Sequence, residues 1–217
     1  MSVTKAGCIA PCFFSSGFRR ARARAIAFIA VAALAGCSPL GETRTQESFQ
    51  AWRAASGESV PAFEAHLRQN DLESVVPLHE LLRTASAWEE CGGPPYAVPP
   101  AAQWPSVRST LLLLKELRRQ AVLGDFEVHS AFRDEELNRC AGGAKGSAHF
   151  RAFALDLTPR VDDGAGQRLC DFWRQNGATW NMGLSRYPSG RIHIDTSGYR
   201  TWGADHTFRT SFCIPQG

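Results

Sequence analysis

Residues 147–159 read SAHFRAFALDLTP and place a histidine and a carboxylate seven positions apart, at His149 and Asp156. Asp156 lies inside the short apolar run 153–157, which predicts a buried strand. A carboxylate in such a strand is costly unless an ion or a hydrogen-bond network holds it. A second apolar run with an internal histidine and carboxylate, RIHID, occupies residues 191–195. We therefore predict that the two strands lie side by side and bind one metal ion.

The alternation of side chains along these strands predicts which residues share a face. In a strand, residues i and i+2 point to the same side, so His193 and Asp195 share one face of the second strand. Asp156 lines the same surface once the apolar faces pack on helices, and His149 can fold over it from the preceding loop. Two imidazoles and one carboxylate suit Zn²⁺, with a fourth position left for water.

The charge distribution argues against a nucleic-acid binder. The 217-residue chain has 24 Lys and Arg against 21 Asp and Glu, a formal net charge of +3. Five of the basic residues and none of the acidic ones lie in residues 1–36. The remainder therefore has no basic excess, which a nucleic-acid-binding surface needs. Hydrophobic residues make up 44% of the chain, enough for a packed core.

The N-terminus predicts export. A basic segment, residues 19–24, precedes an apolar run, residues 25–35, that is too short to span a bilayer as an anchor. The run ends in Leu-Ala-Gly before Cys37, which resembles a bacterial lipobox. We predict a lipoprotein signal peptide over residues 1–36, lipidation of Cys37, and a periplasmic location on the outer membrane. An ordinary secretory signal that happens to contain this cysteine is the alternative.

Four cysteines remain beyond the predicted lipidation site, and an even number in an oxidising compartment predicts two disulfides. They are Cys91, Cys140, Cys170 and Cys213. Of the three possible pairings we favour Cys91–Cys140 and Cys170–Cys213, because each ties a flanking segment to the predicted core. A four-cysteine zinc site needs ligands paired at close spacing, and no two of these cysteines lie near each other in the sequence.

Hydrophobic periodicity divides the exported chain into three parts. A polar tether over 37–47 leads into a helical extension with a loop rich in Pro and Gly over 48–105, and a core domain follows over 106–217. Helices are predicted at 48–55, 61–69, 72–90, 106–121, 133–139 and 167–176, and strands at 126–130, 153–157, 180–184 and 191–196. The sum is an α+β fold in which a small antiparallel sheet packs against helices.

In this order and spacing, the motifs resemble those of the zinc D-alanyl-D-alanine peptidase family, which shares its fold with the hedgehog signalling domain. The family pattern is Ser-x-His, a carboxylate seven positions after that histidine, and a later histidine on a strand. These positions correspond to Ser147, His149, Asp156 and His193. An upstream Ser-Ala-Phe-Arg segment is similar to the family's Ser-Gly-Tyr-Arg and places Arg133.

The resemblance implies a zinc peptidase domain over 106–217 that hydrolyses peptidoglycan stem peptides or cross-links through a zinc-activated water. A D-Ala-D-Ala carboxypeptidase and a related endopeptidase both fit. It implies that the two histidines and Asp156 bind one Zn²⁺ and that Ser147 binds substrate. Arg133 would bind a substrate carboxylate or stabilise the oxyanion. The expected partners are peptidoglycan peptides and, through the lipid anchor, the membrane; we expect no nucleic acid and a monomer.

The general base is the point at which the sequence departs from the family. Some members place an acid three residues before the last histidine, and Gly190 occupies that position here. Asp195 is the nearest candidate, either as the catalytic base or as a residue that orients a ligand histidine. The alternative function is a non-catalytic lipoprotein that keeps the metal and binds cell-wall peptide. A third possible function is that of a structural lipoprotein that is stabilised by disulfides and binds no metal.

Overall fold

A five-stranded sheet carries the two motif strands at its centre. In the computed structural model, which describes residues 44–215, the strands are β1 (Phe126–Ser130), β2 (Ala154–Pro159), β3 (Gly183–Arg186), β4 (Ile192–Asp195) and β5 (Arg200–Trp202). Their order in the sheet is β1-β2-β4-β3-β5. Neighbouring strands are antiparallel except β3 and β5, which are parallel. The two strands that carry the predicted ligands are therefore adjacent.

The described residues also form six α-helices. They are α1 (Gln46–Ala55), α2 (Ser59–Gln69), α3 (Leu78–Leu81), α4 (Trp104–Arg119), α5 (Glu135–Cys140) and α6 (Ala165–Asn176). α1 begins after Thr45 and α5 after Asp134, whose side chains accept hydrogen bonds from backbone N–H groups of the first turn. Such caps satisfy donors that have no partner within the helix. The α+β fold class is confirmed.

One hydrophobic core joins the predicted helical extension to the sheet. Phe49 of α1 and Phe63 of α2 are buried in the same cluster as Leu155 of β2 and Ile194 of β4. α4 lies against β2 and begins at Trp104, so the predicted boundary between residues 105 and 106 falls in its first turn. The apolar faces of β2 and β4 thus pack inward, which directs their alternate residues toward the opposite face of the sheet.

The helix predicted over residues 72–90 is wrong, because only the short α3 is helical there. Pro77 stands directly before it. Proline lacks a backbone N–H and disfavours the helical conformation in the residue before it. Val75 and Leu82, which suggested helical spacing, are nevertheless buried in the core. The spacing of apolar residues therefore predicted correctly which side chains are buried, but it predicted the wrong backbone conformation.

The predicted hairpin is present as β3 and β4, with β3 beginning three residues later than expected. β5 was not predicted. It is three residues long, and its sequence Arg-Thr-Trp has no apolar alternation to reveal it. Its parallel pairing with β3 makes the sheet mixed at one edge.

The structure contains both favoured disulfides. Cys91–Cys140 connects the loop after α3 to the end of α5, and Cys170–Cys213 connects α6 to the C-terminal segment. They close loops with sequence separations of 49 and 43 residues. Each holds a segment outside the sheet against the elements around the predicted ligands.

The predicted signal peptide over 1–36 and the lipidation site Cys37 lie outside the described residues. The end of the predicted tether is ordered against the domain, since α1 already begins at Gln46. Arg44 donates hydrogen bonds to the carbonyl oxygens of Ala85 and His129. Among the helices of residues 44–215, none is long and apolar enough to cross a membrane.

Candidate metal centre

Asp156 and His193 lie directly opposite each other on β2 and β4. The distance from Asp156 Oδ1 to His193 Nδ1 is 2.9 Å. His149, in the loop before β2, brings its Nε2 to 3.1 Å from Asp156 Oδ1 and 3.2 Å from His193 Nδ1. Asp156, His193 and His149 are 5%, 4% and 2% exposed, respectively. The structure thus brings together the three side chains predicted as ligands.

Hydrogen bonds on the far side of each ring set which nitrogen faces the centre. His149 Nδ1 lies 2.7 Å from the carbonyl oxygen of Ala131. A carbonyl only accepts, so the proton lies on Nδ1 and the lone pair of Nε2 points toward Asp156. His193 Nε2 lies 2.8 Å from Asp195 Oδ2 and donates to it in the same way, which directs Nδ1 at the centre. Such partners are typical of histidines that bind metal.

Three acceptor atoms therefore converge within 2.9–3.2 Å of one another. Because each ring already donates one proton outward, the nitrogen that faces the centre is an acceptor unless that ring takes up a second proton. In a tetrahedral zinc site with ligands at 2.0–2.2 Å, neighbouring ligand atoms are about 3.3–3.6 Å apart. A small expansion of the triangle gives one face of that tetrahedron. Two imidazoles and one carboxylate are also a known donor set of catalytic zinc sites, so these residues fit the metal.

The pKa values of the three side chains are shifted because their acceptor atoms lie close together in a buried site. Burial lowers the pKa of His149. Burial raises the pKa of Asp156, but the charges and hydrogen bonds of the two histidines outweigh it and hold that pKa well below its usual range. Burial lowers the pKa of His193, yet the hydrogen bonds to Asp156 and Asp195 outweigh it and raise the pKa to about 9. Without metal, His193 is therefore the group that holds the shared proton at neutral pH.

Asp195 lies on the side of His193 away from the other two ligand side chains. It is completely buried and accepts hydrogen bonds from His193, from the backbone and side chain of Ser197, and from Arg200 through both oxygens. Burial raises the pKa of Asp195, but the hydrogen bond and charge of His193 and the charge of Arg200 outweigh it and lower that pKa. These contacts favour the orienting role predicted for Asp195 over that of catalytic base.

Arg133 is placed beside the centre but is already engaged. Its Nη2 donates to Asp156 Oδ2 at 2.9 Å, and its Nε donates to Ser130 Oγ at 3.1 Å. It is 8% exposed. The guanidinium therefore holds the outer oxygen of Asp156 so that the inner one, Oδ1, faces the histidines. The predicted contact of Arg133 with substrate remains open to it, because its side chain also borders the openings to the surface.

Sequence reasoning missed two residues of the centre. Tyr187, in the turn between β3 and β4, donates its hydroxyl proton to Asp156 Oδ1 at 3.1 Å and lies 3.5 Å from His193 Nδ1. Arg200, in the unpredicted β5, contacts both oxygens of Asp195. The only signal for Tyr187 was its position in the turn that leads to His193, and there was none for Arg200.

Two openings lead from the centre to the surface. The larger cleft has a volume of about 530 Å³ and is lined by residues that include Arg133, Ser147, His149, Tyr187, His193 and His206. The smaller pocket has a volume of about 300 Å³ and is lined by residues that include Ser86, Arg133, Asp156, Tyr187, Ser189 and Arg191. The predicted substrate residue Ser147 is half-buried in the wall of the larger cleft, and its Oγ accepts a hydrogen bond from the N–H of His149. Volumes of this size can hold a peptide segment.

One family model matches the chain. It is described as Peptidase M15 and covers residues 78–195, more than half of the chain. The matched region runs from α3 to the end of β4 and contains Arg133, the three predicted ligands and Asp195. No curated protein and no solved structure matches the chain.

Proposed function

The chain belongs to the peptidase M15 family, and on that premise we propose that it is a zinc-dependent peptidase of peptidoglycan stem peptides or cross-links. D-Ala-D-Ala carboxypeptidase and related endopeptidase activity both lie within this proposal. The observation that carries it is the convergence of three acceptor atoms, from His149, Asp156 and His193, beside an open cleft. Such a set of acceptor atoms suits a cation.

The protein's own residues have distinct roles in this proposal. A bound Zn²⁺ supplies a Lewis acid and lowers the pKa of a water molecule toward about 7. Ala131 and Asp195 fix the ring nitrogens that face the ion, and Arg133 fixes the carboxylate of Asp156. Preorganised ligands cost no rearrangement when substrate arrives.

The larger cleft supplies the groups that handle substrate and proton. The hydroxyl of Tyr187 points into the centre and can donate a hydrogen bond to an oxygen that gains negative charge. His206 is exposed in the cleft wall, and its side chain has no hydrogen bond within residues 44–215. An imidazole there can accept a proton. Because Gly190 occupies the position of the family's acid and cannot act as a base, His206 is our candidate for the general base.

The test is hydrolysis of muropeptides by the purified protein with and without a chelator. We expect products that disappear on chelation, return with added Zn²⁺, and are absent from His193→Ala. The matched control is His129→Ala, because His129 lies on β1 and bonds to Thr158 instead of the centre. Hydrolysis that survives both chelation and His193→Ala would contradict the proposal.

The second candidate function is a metal-containing protein that binds cell-wall peptide without cleaving it. The absence of an acid at Gly190 favours it. It predicts saturable binding of muropeptides by the zinc-loaded protein and no product after prolonged incubation. Analysis of the same incubations by mass spectrometry separates the two functions.

We also propose that the protein is exported and lipid-anchored in the cell envelope as a monomer. The support for export and anchoring is the sequence of residues 1–37 alone, with its basic segment, apolar run and Cys37. Metabolic labelling with a fatty acid tests it. The label should enter the wild-type protein and not Cys37→Ser, which should leave the membrane fraction.

A further inference from the structure

The candidate metal centre lies between the two openings. His149 and His193 are in the wall of the larger cleft, Asp156 is in the wall of the smaller pocket, and Arg133 and Tyr187 border both. Both openings therefore border the centre, and the smaller pocket is within reach, on one side, of a peptide bond held there. The residues of the smaller pocket are positioned to choose what lies on that side of the bond.

The smaller pocket contains an arginine that forms no ion pair with an acidic side chain of the described residues. Arg191, immediately before β4, is half-buried, and its Nη1 donates to Ser86 Oγ at 2.5 Å. Within residues 44–215, no Asp or Glu forms an ion pair with it. The other arginine of this pocket, Arg133, is paired with Asp156. The charges of that pair offset each other, so Arg191 leaves the pocket with a net positive charge.

The groups around Arg191 suit a carboxylate. A guanidinium presents several N–H donors in one plane, and a carboxylate matches two of them at once. Only one of these donors is used by Ser86 in the contact described. The hydroxyl of Ser86 accepts that bond and retains its own proton for an anion.

We propose that the smaller pocket is the carboxylate subsite of the peptide substrate and that Arg191 is its specificity-determining residue. This inference rests on the proposed function for the identity of the ligand as a peptide. The carboxylate has two possible sources, the α-carboxylate of a C-terminal residue or the side chain of an internal acidic residue. The first places the scissile bond next to the chain end, and the second allows cleavage within the chain.

The experiment compares peptides that differ only by one charge. The first pair is a stem peptide ending in D-Ala-D-Ala as the free acid and as the C-terminal amide, with the internal acidic residue amidated in both. The second pair carries the internal residue as carboxylate or carboxamide, with a C-terminal amide in both. Binding is measured by calorimetry on the zinc-free protein, so that no peptide is cleaved during the titration.

Four variants isolate the charge of Arg191. Arg191→Gln removes it, and Ser86→Ala removes the hydrogen bond while it leaves the guanidinium in place. Arg186→Gln removes an exposed arginine of the same hairpin that lies outside the pocket. Arg191→Lys keeps a charge in the pocket if Arg191→Gln fails to fold.

We expect the wild type to bind the acid of one pair about ten-fold more tightly than its amide. Arg191→Gln should reduce that ratio to near one, Ser86→Ala should reduce it only in part because one donor to the anion is lost, and Arg186→Gln should leave it unchanged. The pair that responds identifies the source of the carboxylate. Equal binding of acid and amide by the wild type, or an unchanged ratio in Arg191→Gln, would overturn the inference.

Hydrolysis of the same peptides by the zinc-loaded wild type is measured in parallel. Hydrolysis without discrimination between acid and amide leaves the proposed function standing and removes the carboxylate subsite. Discrimination in binding without any hydrolysis supports the carboxylate subsite and contradicts the proposed peptidase function.

Discussion

Gly183 on β3 lies against the carboxylate of Asp195 on β4. The two residues are register partners, and a β-carbon added to Gly183 would lie 2.2 Å from Asp195 Oδ2 and 2.6 Å from its Cγ. Real β-carbons do not approach other atoms so closely. The absence of a side chain at Gly183 is therefore what allows Asp195 to lie beneath His193 and orient its ring.

Gly183→Ala should displace Asp195 and weaken zinc binding about 10–100-fold, the usual cost of losing a partner of a ligand histidine. Competition with a chromogenic chelator measures the affinity. The control is Gly124→Ala, since the atom nearest to a β-carbon there is 3.9 Å away. Equal zinc affinity in the two variants would show that Asp195 does not position His193.

Zinc binding should depend on pH because a proton occupies the metal-free centre. The pKa of His193 is raised to about 9, so the ion must displace its proton at any lower pH. We expect zinc affinity to rise about ten-fold per pH unit between pH 7 and 9 and then to level off. Calorimetry in two buffers of different ionisation enthalpy should report about one proton released per ion at pH 7.

The same shift fixes the sign of a stability effect in the metal-free protein. A raised pKa means that the folded state binds the proton more tightly than the unfolded chain does. The contribution of His193 to stability is therefore complete below pH 6.5, the ordinary pKa of a histidine, and is lost as the pH rises toward 9. In His193→Ala, this part of the change in unfolding free energy with pH should be absent. Urea denaturation of both proteins across this pH range measures it.

Tyr187→Phe should separate catalysis from metal binding. Burial and the charge of Asp156 raise the pKa of the Tyr187 hydroxyl, so it remains a hydrogen-bond donor at neutral pH. Loss of this donor should lower kcat about ten-fold or more, with zinc affinity changed by only a few-fold. The matched control is Tyr199→Phe, because Tyr199 is exposed and stacks on Trp173. A fall in zinc affinity as large as the fall in kcat would assign Tyr187 to the metal instead.

His206→Gln should lower kcat and leave zinc affinity and KM nearly unchanged, because His206 lies in the cleft wall and makes no contact with the three ligand side chains. An unchanged kcat in the variant would exclude His206 as the base.

Local patterns predicted the parts of the fold in which period and burial agree. Short apolar runs identified β2 and β4, and an apolar stripe at helical spacing identified α4. The same reasoning failed over residues 72–90, where apolar side chains at helical spacing are buried along a chain that Pro77 keeps from forming a long helix. Burial is set by tertiary contacts, and spacing alone does not reveal the backbone that delivers it.

The sequence by itself predicted which side chains meet at the centre, because the apolar residues of each strand must face the core and alternation then turns Asp156 and His193 to the opposite face. Only the tertiary structure decided what each partner does. Whether Asp195 faces the ion or the back of a histidine, and whether Arg133 or Arg191 keeps its charge for a ligand, depends on side chains far away in sequence. Hydrogen bonds are directional and short in range, so these roles follow from atomic positions that no local pattern encodes.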